Sequence, residues 1–138
     1  MRITLESDYA LRIVSALAEN GGVVDAAELS LVTSVTLRFT LKILHKLVQG
    51  DLVSSFKGAR GGYKLKPSPE NITLKMVIEL IEGPIAIMRC LGNGEACSMV
   101  SDKTACIYHN IFDAISLELS EKLNNITIAD VLGRKKSI

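Results

Sequence analysis

Apolar residues recur at helical spacing in three separate segments of the first fifty positions. Residues 7–19 place their apolar side chains on one face, and two glycines follow, which predicts an amphipathic helix and its end. Asp25 followed by Glu28 is a capping pattern and predicts a short second helix. Thr36 caps a predicted third helix with one face turned to the interior. Its inward side chains are expected to be Leu37, Leu41, Leu44, Leu47 and Val48.

Helical spacing then gives way to shorter patterns. Residues 52–66 contain two strand-like runs joined by a glycine-rich turn, which predicts an antiparallel hairpin. A further helix is expected over 74–82, where a threonine precedes it and a glycine ends it. Residues 89–106 show no regular period, whereas 107–124 are again helical.

The order of helix, helix, helix and hairpin is that of a winged helix-turn-helix. We therefore predict a mainly α fold with a small β-hairpin wing and a long C-terminal helix suited to dimerisation. Three parts are expected: a winged helix-turn-helix domain at 1–83, a cysteine-bearing loop at 84–106, and the dimerisation helix with a C-terminal tail at 107–138. Thr127 caps a short last helix in the third part, and residues 134–136 are expected to fray.

Composition narrows the class of protein. Of 138 residues, 48% are hydrophobic and 22% are charged, which is typical of a globular chain. The longest apolar run is four residues, 85–88, so no membrane-spanning segment is expected. Acidic residues near the start leave no apolar core for a secretory signal, and we expect a cytoplasmic protein. Three cysteines in a reducing compartment favour metal or redox chemistry over a disulfide framework.

Charge is distributed unevenly along the chain. The net charge is +1, yet residues 36–66 carry seven lysines and arginines against one acid, while residues 67–138 carry seven against nine acids. A local excess of this kind suggests an anionic partner, and nucleic acid is the leading candidate. A solvated basic face is the alternative.

The third predicted helix supports a nucleic-acid partner, because its polar side chains form a stripe opposite the leucines. The outward positions are Arg38, Lys42, His45 or Lys46, and Gln49. A helix in the major groove of DNA needs cations for phosphates, and donors and acceptors for base edges. Glycines in the hairpin turn permit a close backbone approach to DNA, and Arg60 in that turn is able to reach a minor groove.

Three cysteines and one histidine lie within twenty residues, at Cys90, Cys97, Cys106 and His109. Zinc sites favour two cysteines separated by two to four residues, and that spacing does not occur here. Thiolates spread along a long loop suit an iron–sulfur cluster, which is held from several directions. Cys106 and His109 are three residues apart and would face one side of a helix start. A cluster is therefore the leading hypothesis, with zinc or buried structural cysteines as alternatives.

A long apolar stripe follows the cysteines along the helix predicted for 107–124. It extends further than a domain of this size needs for its own core, and two such helices packed antiparallel would bury it. A homodimer is expected, and with it an inverted-repeat DNA site that has two equivalent half-sites. The predicted interface residues are Ile107, Ile111, Ile115, Leu119 and Leu123.

Several of these motifs together resemble a known family. The matching segments are Met1-Arg2-Ile3-Thr4, Asp8-Tyr9-Ala10-Leu11, Leu52-Val53-Ser54-Ser55, Lys57-Gly58-Ala59-Arg60-Gly61-Gly62-Tyr63, Gly83-Pro84-Ile85-Ala86, Arg89-Cys90-Leu91 and Asn124-Asn125-Ile126-Thr127. The wing and an Arg-Cys-Leu followed by two further cysteines are specific in combination. On these segments the chain resembles the Rrf2 family of bacterial winged-helix transcription regulators, which includes IscR-like and NsrR-like iron–sulfur regulators. Members are dimeric transcription factors, and many carry a cluster on three cysteines.

The resemblance implies roles for individual residues. Cys90, Cys97 and Cys106 match the cluster cysteines, and His109 matches a histidine that completes a [2Fe–2S] site in IscR-like members. Asp8 matches an acid that supplies the fourth ligand across the dimer in NsrR-like members. A [2Fe–2S] cluster is favoured over [4Fe–4S], although the gaps between the cysteines are longer than is usual in the family. The predicted DNA-binding residues, from the basic stripe and the resemblance together, are Thr36, Arg38, Phe39, Lys42, Lys46, Lys57 and Arg60.

We therefore expect a homodimeric DNA-binding regulator, not an enzyme, whose operator affinity is controlled by an iron–sulfur cluster. Two alternatives stay open. An iron–sulfur electron carrier would use the same cluster without specific DNA binding, but it would gain nothing from the basic stripe and the wing. A metal-free regulator would use its thiols as oxidation sensors. The colour of protein purified without oxygen separates a cluster from metal-free thiols.

Overall fold

The computed structural model describes residues 2–92 and 96–137, and it is mainly helical. The six helices are α1 (Leu5–Asn20), α2 (Ala26–Thr33), α3 (Leu37–Gln49), α4 (Leu74–Glu82), α5 (Ile107–Asn124) and α6 (Ile128–Lys136). Strands β1 (Val53–Phe56) and β2 (Gly62–Leu65) form an antiparallel hairpin with Val53 opposite Leu65. Short 3₁₀ turns lie at Pro69–Asn71, Arg89–Leu91 and Lys103–Ala105. The predicted mainly α fold with a hairpin wing is confirmed.

Side-chain caps explain where most of the helices begin. In five of them, an oxygen of the preceding residue accepts a backbone N–H from within the first turn, which satisfies one of the unpaired donors there. In α6 the cap is reciprocal, because the Asp130 carboxylate also accepts the Thr127 backbone N–H. Helix α5 begins after Cys106 without a side-chain cap. The five capping residues are Thr4, Asp25, Thr36, Thr73 and Thr127.

One hydrophobic core joins α1, α2, α3, β1, α4 and α6. Its fully buried side chains are Ala10, Ile13, Val14, Leu17, Leu29, Ile43, Leu44, Leu47, Val53, Ile72, Val77 and Ile128. The predicted inward position of Leu44 and Leu47 is confirmed, but that of Leu37 and Leu41 is wrong, because both side chains are exposed. The buried face of α3 begins at Thr40, and Leu41 lies about 100° around the helix from it.

Helix α6 packs against the same core although it is the last element of the chain. Ile128 is fully buried, and its backbone N–H donates to the Ile72 carbonyl at 2.8 Å. The expectation that residues 134–136 fray is wrong, because α6 extends to Lys136. Three cations in its last turn interact favourably with the negative end of the helix dipole. One of them, Lys135, places Nζ 2.5 Å from Glu19 Oε1 of α1. We call residues 4–82 together with 126–136 the head.

The rest of the described chain contributes little to this core. The segment 84–106 is here called the cysteine segment. Its described residues, 84–92 and 96–106, have irregular backbone apart from two short turns, and α5 follows them. From residue 79 to residue 127, Ser116 is the one described residue that is buried. Its hydroxyl accepts the Ile87 backbone N–H at 3.1 Å, which ties the cysteine segment to α5. No helix among residues 2–92 and 96–137 is long and apolar enough to cross a membrane.

Candidate DNA-binding surface and cysteine segment

The exposed face of α3 carries most of the predicted DNA-binding residues. Thr36 precedes this face, and its hydroxyl accepts the Phe39 backbone N–H at 3.4 Å. Ser34, in the left-handed region at φ 55°, ends α2 and turns the chain toward α3. The exposed or half-exposed polar side chains of the helix are Arg38, Lys42, His45, Lys46 and Gln49. The structure therefore presents the predicted stripe on one face.

An acidic side chain that the sequence analysis did not single out faces two of these cations. Glu6, in the first turn of α1, places Oε1 at 2.6 Å from Lys46 Nζ and Oε2 at 3.5 Å from Lys42 Nζ. Hydrogen bonding and charge from Lys46 hold the pKa of Glu6 below its usual value, against the opposing effect of its partial burial. Within the described chain, no acid pairs in this way with Arg38, Lys57 or Arg60.

Aromatic contacts connect the same two helices. The rings of Tyr9 and Phe39 meet edge to face, with centroids 5.9 Å apart. Lys42 Nζ lies 5.9 Å from the centroid of the Phe39 ring, and the Arg12 guanidinium lies 5.4 Å from that of Tyr9. Phe39 therefore packs against α1 while its side chain stays partly exposed. Besides its predicted contact with DNA, it contributes to the packing of α3 on α1.

The wing places Lys57 and Arg60 in an exposed turn between β1 and β2. Two of its glycines are required by the protein itself. A Cβ on Gly61 would lie 2.4 Å from the Phe56 carbonyl oxygen, and a Cβ on Gly62 would lie 2.6 Å from that of Val24. The second contact exists because Val24 pairs with Tyr63, next to Gly62, and extends the hairpin sideways. Contacts within the chain therefore require these glycines. From the sequence alone, the glycines of the turn were explained only by a close approach of the backbone to DNA.

The three cysteines are free and half-buried. Cys97 Sγ accepts the Met99 backbone N–H at 3.4 Å, and this bond, a second from Val100 and the charge of Lys103 lower the pKa of the Cys97 thiol. Lys103 also donates to the Cys90 carbonyl at 3.0 Å. Within residues 2–92 and 96–137, no three histidine, cysteine or acidic side chains are close enough together to hold a metal ion.

The two candidates for a fourth ligand differ in their surroundings. His109 lies in the first turn of α5, three residues after Cys106, and its Nδ1 is buried without a hydrogen-bond partner in the described structure. Asp8 Oδ2 instead lies 2.6 Å from the Arg12 guanidinium, in an ion pair within α1. A buried imidazole nitrogen and three free thiols are the right donors for an iron–sulfur cluster, so the chemistry of the residues fits such a group. The arrangement described does not gather all three cysteines.

The predicted interface stripe on α5 divides into two halves. Ile107, Ile111 and Ile115 are 68%, 48% and 44% exposed. Leu119 and Leu123 are half-buried and line a cavity of about 390 Å³, together with Ile78 of α4 and residues 83–87. The first half is an apolar face left open to solvent by this chain, and the second half is already partly covered by it.

Comparisons with known proteins agree with this architecture. The family model described as "Rrf2: Iron-dependent Transcriptional regulator" matches residues 3–134. The HTH-type transcriptional regulator IscR of Sodalis glossinidius is 30% identical over 138 residues, spanning 99% of this chain and 81% of that protein. The solved structure of T. potens IscR has a TM-score of 0.78 at 20% identity, covering 98% of this chain and 88% of its own. That of CymR, the global cysteine regulator of B. subtilis, has a TM-score of 0.74 at 24% identity, covering 97% and 98%.

Proposed function

This chain belongs to the Rrf2 family of transcriptional regulators, and we propose that it acts as a homodimer whose operator affinity depends on an iron–sulfur cluster held by Cys90, Cys97 and Cys106. DNA-binding transcriptional regulation follows from the family itself, and its related proteins are regulators rather than enzymes. The observation that carries the cluster is the combination of three free thiols with a buried imidazole nitrogen, three residues after the third cysteine, that has no hydrogen-bond partner among the described residues.

The DNA contact is assigned to α3 and the wing. Arg38 and Gln49 are exposed at either end of the α3 face, and Arg60 is exposed in the wing turn. A helix of this kind lies in the major groove while the basic turn meets phosphates or a minor groove. Lys42 is expected to read a base edge, and Lys46 and Lys57 are expected to meet phosphates.

Selection of binding sequences from random duplexes tests this contact, and an inverted repeat is the expected product. Arg60→Ala should weaken binding and flatten its salt dependence, and Lys42→Ala should cost about 1–3 kcal/mol on the selected site. Lys75→Ala is the matched control, because Lys75 lies on α4 and pairs with Glu79 there. If Arg60→Ala binds like the wild type at several salt concentrations, the wing is not part of the DNA contact.

The second copy is assigned to the open half of the α5 stripe. An apolar face of three isoleucines at four-residue spacing is unfavourable in water, and an antiparallel copy of the same helix would cover it. Light scattering at micromolar concentration should give twice the 15.0 kDa of one chain. A mass of one chain would contradict the dimer and the inverted repeat together.

For the remaining cluster ligand we favour His109 over Asp8. Among the described residues, the His109 Nδ1 has no hydrogen-bond partner, and His109 lies one helical turn from Cys106. Asp8 would first have to leave Arg12, with which it pairs at 2.6 Å. When bound, a cluster supplies an iron centre that responds to oxidation or to an added ligand, and a nitrogen or carboxylate ligand leaves one iron more exchangeable than thiolates do.

Protein purified without oxygen tests the assignment by its visible spectrum. His109→Ala should keep some cluster, with a shifted spectrum and faster loss in air, whereas Asp8→Ala should resemble the wild type. An unchanged His109→Ala spectrum beside a changed Asp8→Ala spectrum would move the ligand to Asp8 and make the site span the dimer.

A metal-free thiol sensor is the second candidate function. The Met99 backbone N–H that donates to Cys97 Sγ at 3.4 Å favours it, because such a bond stabilises the thiolate, which is the form that reacts with oxidants. Counts of iron and sulfide in anaerobically purified protein decide between the two. Colourless protein without iron, whose thiols change mass on mild oxidation and whose DNA affinity changes with them, would support the thiol sensor.

A further inference from the structure

Glu6 occupies the space between α1 and the two lysines of the α3 face. Oε1 is shielded from solvent and lies 2.6 Å from the Lys46 ammonium, in an ion pair. Oε2 lies 3.5 Å from Lys42 Nζ. One carboxylate therefore spans two cations that are one helical turn apart. Glu6 retains 24% side-chain exposure, Lys46 34% and Lys42 54%, so this contact sits at the surface assigned to DNA.

The position of Glu6 is fixed by the start of its helix. Thr4 caps α1, and both its backbone N–H and its hydroxyl donate to Glu82 Oε1 at 2.9 Å. The first turn of α1 is thus held to the end of α4. A carboxylate in the first turn of a helix is also stabilised by the helix dipole. Glu6 is therefore an ionised group beside the exposed face of α3, on a helix turn that the Thr4–Glu82 contact anchors.

We propose that Glu6 is a specificity-determining residue, which occupies Lys46 and Lys42 and so weakens binding to DNA that lacks the operator sequence. The inference rests on the proposed DNA contact of α3. Binding to non-operator DNA depends almost entirely on cations meeting phosphates. A lysine engaged by Glu6 meets a phosphate only at the expense of an existing ion pair.

The operator complex should depend on Glu6 in a different way. Recognition of base edges requires donors held in register, and a carboxylate that spans Lys42 and Lys46 restrains both ammonium groups. Removing Glu6 would free a cation for phosphates and would at the same time loosen that restraint. On the operator, the freed cation raises affinity and the loosened restraint lowers it. On other DNA, only the freed cation changes the affinity. Loss of Glu6 should therefore reduce discrimination more than it changes operator affinity.

The experiment compares Glu6→Gln with the wild type on the selected operator and on a scrambled duplex of the same length and composition. Affinity for the scrambled duplex should rise roughly five- to tenfold near 0.1 M salt, and the slope of log affinity against log salt should steepen by about 0.9, the value for one added phosphate contact. Operator affinity should change by no more than about twofold, so the ratio of the two affinities falls.

Glu19→Gln is the matched control. Glu19 lies in the same helix and also pairs with a lysine, Lys135 at 2.5 Å, but on the side that faces α6. This variant removes the same unit of charge and should leave discrimination unchanged. A double-mutant cycle adds Lys46→Gln, and the effect of Glu6→Gln should largely disappear in that background. Glu6→Asp keeps the charge with a shorter reach and should lie between wild type and Glu6→Gln.

Four results would overturn the inference. Glu6→Gln could leave both affinities unchanged, raise them by the same factor, weaken both, or match Glu19→Gln. Thermal unfolding of each variant identifies a loss of affinity that comes from misfolding. If Glu6→Gln is misfolded, the affinities of Glu6→Asp are compared with those of the wild type instead. Failure of the DNA contact itself gives a different result, since Lys42→Ala and Lys46→Ala would then bind both duplexes like the wild type.

Discussion

The head and the cysteine segment with α5 differ in how completely one copy of the chain builds them. In the head, twelve apolar side chains are fully shielded, and they come from elements at both ends of the sequence. From residue 84 to 124, the described chain buries Ser116 alone, and three isoleucines of α5 face solvent. The head is therefore a structure that one chain completes. The other region has the properties of a surface that a second copy and a cluster would complete.

The largest expected effect concerns the cluster. Cys90→Ala, Cys97→Ala and Cys106→Ala should each be colourless or nearly so after anaerobic purification, because a cluster missing a thiolate becomes exposed and labile. The thermal unfolding of the head should stay close to that of the metal-free wild type, since none of the three side chains belongs to its core. Ser98→Ala, next to Cys97, is the control and should keep its colour. A cysteine variant with full iron and sulfide content would remove that residue from the site.

The second effect tests whether α6 belongs to the head. Ile128→Ala should lower the free energy of unfolding by about 2–5 kcal/mol, because it opens a cavity beside Ile72 in the shared core. Leu31→Ala removes the same number of carbons from a side chain that is 81% exposed, and it should change stability by less than about 0.5 kcal/mol. Urea denaturation at one protein concentration measures both. Equal losses in the two variants would contradict the packing of α6 against the core formed by residues 4–82.

The third effect tests the open face of α5. Ile111→Asp should weaken self-association by about 2 kcal/mol or more, roughly thirtyfold in Kd, because it buries an unpaired charge in the proposed interface. Leu117→Asp is the control, since Leu117 is 59% exposed but lies about 200° around the helix from Ile115. Sedimentation over a concentration series measures the dimer fraction. Equal weakening by both changes would place the interface elsewhere.

The smallest effect concerns the reciprocal cap of α6. Thr127→Ala should cost about 1 kcal/mol of stability. Hydrogen bonds from the Thr127 backbone and hydroxyl lower the pKa of Asp130, so the folded value lies below the unfolded one. The resulting stability is present above the unfolded pKa of about 3.9 and is lost as the pH falls through the folded pKa. Asp130→Asn should flatten that part of the acid unfolding curve, and a curve unchanged from wild type would exclude this contribution.

The sequence was most informative where local chemistry decides the structure. Thr36, Thr73 and Thr127 were expected as caps and cap their helices, because capping depends on a few adjacent residues. The fold class and the polar stripe of α3 followed from the same kind of pattern. Burial of Leu41 was predicted wrongly, because the buried face of α3 depends on how the helix is rotated against α1 and α4.

Contacts between distant parts of the chain were not predictable in the same way. Nothing in the local pattern around Glu6 indicates that it meets Lys46, which is forty residues away. The need for glycine at position 62 arises from the strand partner Val24. The residues 134–136 continue a helix because Lys135 reaches Glu19 and Ile128 enters the core. In each case the deciding partner is brought in by the fold.

The most direct test of the account is the affinity of the selected operator for one protein preparation with and without its cluster. Wild-type protein purified without oxygen would be titrated with operator DNA before and after a chelator removes iron, with Cys97→Ala measured alongside. We expect removal to change operator affinity at least fivefold, the lower end for coupling between two sites, and Cys97→Ala to match the stripped protein. Equal affinities for loaded, stripped and Cys97→Ala protein would contradict control of DNA binding by the cluster.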